Sequence, residues 1–221
     1  MNAASFTEPV APGSIVAIFG ANLAKTTAVA TGATWPSAIA DVSVELGGSA
    51  IPLYFVSPGQ LAGQLPYGLQ PGTAKVVAKI GGIVSNTINV NIAVQTIGIF
   101  SLPGGRAAAQ NQDYVLNTPT TPVSRSEPII LYLTGLGEVT PAAPAGQLSP
   151  LDLVSRPVAN NITATVGGVP SQILYVGLTP GTIGLSQANV RVPDSVAPGS
   201  AIPVVIRAEG RVSNAATISV R

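Results

Sequence analysis

Nowhere in this chain do twelve consecutive residues combine a helical apolar period with freedom from Gly and Pro. An isolated helix shorter than about 12–15 residues is marginal in water, so the fold has to be built from strands. The apolar pattern agrees. Val42, Val44 and Leu46 alternate with Asp41, Ser43 and Glu45; Ile88, Val90, Ile92 and Val94 alternate with Thr87, Asn89, Asn91 and Ala93. Ile162, Ala164 and Val166 do the same against Thr163 and Thr165. Successive strand side chains point to opposite faces, so each stretch has one core face and one wet face. Gly47-Gly48 separates Val42–Leu46 from Ile51–Val56, Gly81-Gly82 separates Ala74–Ile80 from a strand over Ile83–Val94, and Glu209-Gly210 separates Ile202–Ala208 from Arg211–Val220. Two-residue hairpin turns need positive φ, which Gly adopts without steric cost.

The chain repeats itself. Ile15–Leu23 matches Ile129–Gly137, and Gly47-Gly48 with the following Ile51–Gly59 matches Gly167–Pro170 with Leu174-Tyr175-Val176 and Pro180-Gly181. Gln64-Leu65-Pro66 and Pro71-Gly72-Thr73-Ala74 match Asn189–Pro193 and Pro198-Gly199-Ser200-Ala201; Val84-Ser85-Asn86 returns as Val212-Ser213-Asn214. The same signals in the same order mean one supersecondary unit used twice. At roughly 100 residues per copy, the expectation is all-β: two tandem immunoglobulin-like β-sandwiches. The first spans residues 1–97 and the second 123–221. Residues 98–122 form a connecting segment, with a short hairpin of Ala107–Gln110 and Tyr114–Asn117 around Asn111-Gln112-Asp113. Its apolar residues predict that it packs against one or both sandwiches.

Pro12–Leu23 resembles the opening strand of IPT/TIG domains, an immunoglobulin-like fold. The wider set Asn2–Phe6, Pro9–Ser14, Tyr54–Gln60, Ala107–Asp113, Thr134–Gly137 and Val139–Ala142 resembles a C-terminal domain family of large secreted acidobacterial (Solibacter-type) proteins. An Ala-Gly pair ahead of Gln64-Leu65-Pro66 departs from that family, where a polar and an aromatic residue are more usual. The resemblance covers essentially the whole chain. It implies an extracellular or cell-surface setting and a terminal-module role, with no activity and no catalytic residues to carry over.

Composition narrows the function classes. Ten Lys+Arg against nine Asp+Glu leave a net charge of +1, with no basic run to neutralise phosphates, so a nucleic-acid partner is not expected. No apolar run reaches the roughly 18 residues of a membrane-spanning helix, so no membrane insertion is expected either. The opening Met1–Phe6 lacks the basic start and apolar core of a signal peptide, and Met1 reads as a start added to an excised or mature segment, with a native cytosolic start as the alternative.

Catalytic chemistry finds little purchase. The chain has no His and no Cys. That removes imidazole-based triads, thiolate nucleophiles and His or Cys metal sites, and no cofactor is expected. Lys75 and Lys79 alternate with Ala74, Val76, Ala78 and Ile80, on the wet face and away from any desolvated Ser-Lys dyad. Asp41 and Glu45 share a solvent face rather than the facing carboxylate geometry of a glycosidase, and no Asp-x-Asp-x-Asp calcium loop occurs. Gly135-Leu136-Gly137 is followed by Thr140 where a dinucleotide fingerprint needs Gly, so it reads as a turn ending a strand. Asn161-Ile162-Thr163 fits the glycosylation pattern at the start of a strand. The expected outcome is a non-enzyme.

Phe19, Tyr54, Phe55, Tyr132 and Tyr175 fall in strand patterns and read as core. Trp35, Tyr67 and Tyr114 fall in turn-rich segments. They are the candidate ligand contacts, since such rings stack on sugars or anchor a protein partner. Trp35 beside Pro36 reads equally well as a cover for an open sandwich end. Beside an unknown hydrolase, the reading least favoured by the residues, three functions follow: an extracellular structural or adhesive module, a carbohydrate-binding module, or a self-associating subunit joined through strand edges. In the last, Asn2–Val10 either packs on its own repeat or is donated to another copy.

Overall fold

The computed structural model describes residues 1–221 and contains strands, turns and no helix. The fold is two tandem immunoglobulin-like β-sandwiches. In the first, one sheet has the order Ile15–Phe19, Gln60–Gln64, Leu53–Val56, Ala28–Val29. The facing sheet runs Ile88–Ile92, Gly72–Ile80, Val42–Leu46, Ala38–Ile39. The second repeats the plan: Pro128–Thr134, Ser186–Arg191 and Ile173–Leu178 face Ala216–Val220, Gly199–Ala208 and Ile162–Val166.

The glycine pairs act as read. Gly47-Gly48, Gly81-Gly82 and Gly167-Gly168 all take two successive positive φ values, and Glu209-Gly210 does so with a non-glycine at φ 48°. The right-handed twist of the flanking strands selects this turn. Even the irregularities are duplicated. A bulge falls between Leu53 and Phe55 in one copy and between Ile173 and Tyr175 in the other. Ser85 Oγ accepts the Ala78 N–H (3.0 Å) and donates to the Asn86 carbonyl (2.8 Å); Ser213 Oγ does the same with Ile206 (3.1 Å) and Asn214 (3.0 Å).

Three expectations need correction. The opening strands match with a different offset: Ile15 pairs Gln64 and Pro128 pairs Arg191, while Gly13 and Ser126 share φ of 68° and 67°. Phe19 is therefore the counterpart of Tyr132, one residue from the sequence match. A one-residue slip exchanges the faces of a strand, so this moves Phe19 from core to surface. The core accordingly holds no aromatic ring: Phe19 and Tyr54 are 52% and 44% exposed, and Phe55, Tyr132 and Tyr175 are half-buried. The interior is aliphatic, with Leu53 and Leu61 sealed in one sandwich and Ile99, Leu131, Leu133 and Ile206 in the other. Each such side chain contributes about 1.5–3 kcal/mol on burial.

The second correction concerns the strand expected over Ile83–Val94. It stops after Val84 and resumes at Ile88, because the Ser85 hydroxyl takes the ladder's place. Third, residues 98–122 are not a separate connector. Gly98–Ile99 and Ala109–Asn111 both pair with Pro128–Thr134, and Arg106–Ala107 pairs in parallel with Ala216–Val220. The segment is part of the second sandwich and buries Ile99, Ala107 and Ala109 in its core. The hairpin does form, with Gln110 bridging Leu116 around a turn at Asn111–Tyr114.

The N-terminal segment packs on its own chain. Asn2 bridges Val16, Val10 bridges Ile92 in parallel, and the terminal amine donates to the Ala17 carbonyl (3.0 Å). Burial of that amine lowers its pKa, partly opposed by Glu8.

Candidate functional site

The buried polar side chains concentrate where the sandwiches meet. Gln64 ends a central strand of the first sandwich and is 2% exposed. Its Nε2 donates to the Gly13 carbonyl (3.1 Å), and its Oε1 accepts the N–H of Gly146 in the second sandwich (2.7 Å). Gly146 returns its carbonyl to the Trp35 N–H (2.8 Å), and Thr34 bridges Gln147. Thr134, fully buried, accepts the Ile15 N–H on its Oγ1 (2.8 Å).

The connection is stapled too. Thr96 N–H donates to the Gly135 carbonyl (2.9 Å), and the Thr96 carbonyl accepts Asn2 Nδ2 (2.7 Å). Gln95 Nε2 donates to the carbonyls of Leu136 (2.8 Å) and Ala159 (2.7 Å). Gly135 and Gly137 allow this approach. A Cβ at Gly135 would lie 2.2 Å from the Thr96 oxygen, and one at Gly137 2.1 Å from the Val94 oxygen. Thr134-Gly135-Leu136-Gly137 does end a strand, but its glycines serve the seam between two bodies. Most buried polar groups are hydrogen-bonded, but two at this contact are not: Gln95 Oε1 and Thr96 Oγ1 are buried without a partner.

The three candidate contact residues lie in three different settings. Tyr67, expected as an exposed ring, is packed into the seam. Its ring lies against Gly13, where a Cβ would be 2.2 Å from Cε1, and beside Val139, Ala143 and Leu178 of the second sandwich. The neighbouring Gly68 N–H donates to Glu138 Oε1 (2.5 Å). Burial, and then the Glu138 carboxylate, push the Tyr67 hydroxyl up to about 12, against a lowering contribution from a hydrogen bond with Gln64. Trp35 is half-buried, tilted against Tyr54 with ring centroids 5.1 Å apart. Its backbone belongs to the seam. Tyr114 stands at the hairpin tip, 71% exposed at φ 63°. Below it the Tyr132 hydroxyl donates to Gln110 Oε1 (2.5 Å), and burial followed by Tyr114 raises the Tyr132 pKa. Burial raises Tyr175 as well, opposed by Arg156 5.0 Å above its ring.

The ionisable groups are dispersed. Glu45 pairs with Lys79 (2.5 Å) on the partly exposed face of a sheet, and no three acidic side chains gather. Sequence reading missed Gln64, Gln95 and Asn2. Gln64 ends a strand and Asn2 makes a bridge to Val16, whereas Gln95 lies in the connection outside any strand; only at Gln64, a long amide in a strand, was a signal available.

The Tyr67 shift has a measurable consequence. A pKa raised from the 10 of an unfolded tyrosine to about 12 means that the unfolded chain loses its proton first. Stability therefore falls as pH rises from 10 to 12, by about 2–3 kcal/mol. Tyr67→Phe should flatten the curve of unfolding free energy over that window, as read by urea titration at pH 9, 10, 11 and 12. An undiminished slope would place the alkaline transition elsewhere.

No family model matches this chain, and no curated protein matches it. Among solved structures it is similar to SGBP-B of the Bacteroides ovatus mixed-linkage glucan utilisation locus, solved with a mixed-linkage heptasaccharide. That match has 13% identity and a TM-score of 0.38, covering 96% of this chain and 42% of that one. It is also similar to domains 4–9 of the surface layer protein SbsC, at 16% identity and TM-score 0.28, covering 82% and 22%. A tandem segment of titin matches at 12% identity and TM-score 0.25, covering 96% and 61%. The chain thus spans under half the length of the first two. At these scores the likeness carries no argument beyond itself; the strand pairing defines the fold.

Proposed function

We propose that this chain is a non-catalytic structural module of an exported protein, acting as a rigid two-sandwich unit at the cell surface or beyond it. The carrying observation is the seam. Gln64, Gln95 and Thr134, with backbone bonds at Trp35 and Thr96, tie the two sandwiches at several separated points. A flexible tether holds two bodies at one point, whereas bonds on both flanks of a contact fix their relative angle. Such a unit transmits position and load, and the resemblance to a terminal module of secreted acidobacterial proteins fits that task. The scatter of the carboxylates and the lack of His and Cys support the non-catalytic part of the reading.

A second reading, carbohydrate binding, draws on the half-open Trp35–Tyr54 pair, since tilted rings at a surface offer a sugar an apolar face. One set of measurements separates the two. Small-angle scattering of the full chain should fit a single fixed arrangement, and a glycan array should be blank. Scattering that needs an ensemble of inter-sandwich angles would end the rigid-unit reading. Array signal lost in Trp35→Ala would transfer the function to glycan binding.

A further inference from the structure

Beside the seam lies a cleft of about 290 Å³, and neither chain end lines it. One wall is the N-terminal segment of the first sandwich, from Ser5 to Pro9. The other is a hairpin of the second, from Ile206 to Asn214, with Thr96 and Ile97 of the connection between the two. The hairpin pairs Arg207 with Val212 and Ala208 with Arg211. Ile206 and Ala208 share one face of its strand and are buried, as is Ile97, so the cleft has an apolar floor.

Most polar side chains around the cleft are already engaged. Ser5 Oγ and Thr7 Oγ1 share a hydrogen bond (2.8 Å), and Ser213 Oγ is held by Ile206 and Asn214. The Asn214 amide bonds both backbone groups of Ile99. Three groups remain. Glu8 and Arg211, one from each wall, are exposed and do not pair with each other; the chain's one ion pair is Lys79 with Glu45. Thr96 is 8% exposed, and its Oγ1 has no partner. The free groups are therefore a carboxylate, a guanidinium and a hydroxyl around an apolar floor.

That set selects its occupant. A lone anion is repelled by Glu8, a lone cation by Arg211, and an uncharged apolar molecule would strip water from both without replacing it. A small zwitterion with an aliphatic side chain meets every demand: ammonium to Glu8, carboxylate to Arg211, side chain on the floor. Charge-assisted hydrogen bonds of this kind are about twice as strong as neutral ones. The volume lies close to the roughly 300 Å³ lower bound of small-molecule sites, which limits the occupant to amino-acid size. We infer that this cleft binds a free aliphatic α-amino acid between the two sandwiches. Thr96 supplies a third contact. Its hydroxyl makes no bond where it lies, so rotation about Cα–Cβ sacrifices none, and the rotated hydroxyl donates to the ligand carboxylate. The site goes beyond the rigid-unit reading, which stands whether or not the cleft is filled.

The test uses the full chain, isotope-labelled, titrated at neutral pH with leucine, leucinamide and N-acetylleucine. Leucinamide keeps only the ammonium and N-acetylleucine only the carboxylate. The expected result is saturable one-to-one binding of leucine, with amide shifts centred on Thr7-Glu8, Thr96-Ile97 and Arg211–Asn214. Each blocked analogue should bind about tenfold more weakly or worse. Glu8→Gln and Arg211→Gln, both at exposed positions, should each weaken leucine binding by about tenfold. Thr96→Val should weaken it about threefold without lowering the thermal midpoint, because the hydroxyl it removes has no partner in the folded chain. Absence of saturable shifts up to about 50 mM leucine overturns the proposal, as does affinity indifferent to both charge changes. So does a blocked analogue that binds as tightly as leucine, which would give the cleft to a peptide terminus.

Discussion

Gly137→Ala is expected to lower the thermal midpoint by about 10 °C, whereas Gly48→Ala costs only about 3 °C. Both glycines have positive φ, 77° and 86°, so the strain of a left-handed L-residue, about 1–2 kcal/mol, is common to the two. They differ in what the new methyl meets. At Gly48 nothing lies within 4 Å, while at Gly137 the Val94 carbonyl oxygen lies 2.1 Å away. Backbone on both sides leaves no flexible side chain to yield, so the connection and the strand end must separate, adding about 1–3 kcal/mol. Separation also strains the Gln95 bonds to Leu136 and Ala159. Calorimetry on the two variants decides the matter. Equal shifts would mean that the close approach at Gly137 does not hold the seam.

Gln64→Leu should destabilise the chain by about 2–5 kcal/mol, because it keeps the volume and strands two buried backbone groups. The Gly146 N–H loses its acceptor and the Gly13 carbonyl loses its donor. Little room exists for rearrangement: a Cβ at Gly184 would already lie 3.0 Å from Gln64 Cδ, and Gly146 is equally confined by Pro52. The loss should be local in origin. Hydrogen exchange at Trp35 and Gly146 should accelerate more than exchange in the sheet interiors, and scattering should broaden toward several inter-sandwich angles. A variant as stable as the parent, with unchanged exchange at Gly146, would show that the amide bridge is incidental.

How much of this was readable beforehand depends on the kind of residue. Val42, Val44 and Leu46 were assigned to the core and are buried, because their alternation has only one face that can exclude water. Lys79 and Glu45 were assigned to solvent and form a partly exposed pair there. Phe19 was placed inside and is outside. Its strand admits two registers against a repeat of similar composition, and only the ladder with Gln60–Gln64 chooses between them. Tyr67 reads as a loop aromatic free to meet a ligand, yet the second sandwich packs against it and leaves it only partly exposed. Its local context, Pro66 and Gly68, says nothing about a body more than seventy residues further along the chain.

From the sequence alone came the strand content, the hairpin turns, the duplication and the lack of imidazole and thiol chemistry. All of these are set by properties of neighbouring residues: side-chain alternation, positive φ at glycine, side-chain inventory. The tertiary structure decided the pairing register, the membership of 98–122 in the second sandwich and the seam at Gln64. Those depend on contacts between segments far apart in the chain. A polar side chain or a glycine there has the same local signature whether it faces water or a second sandwich.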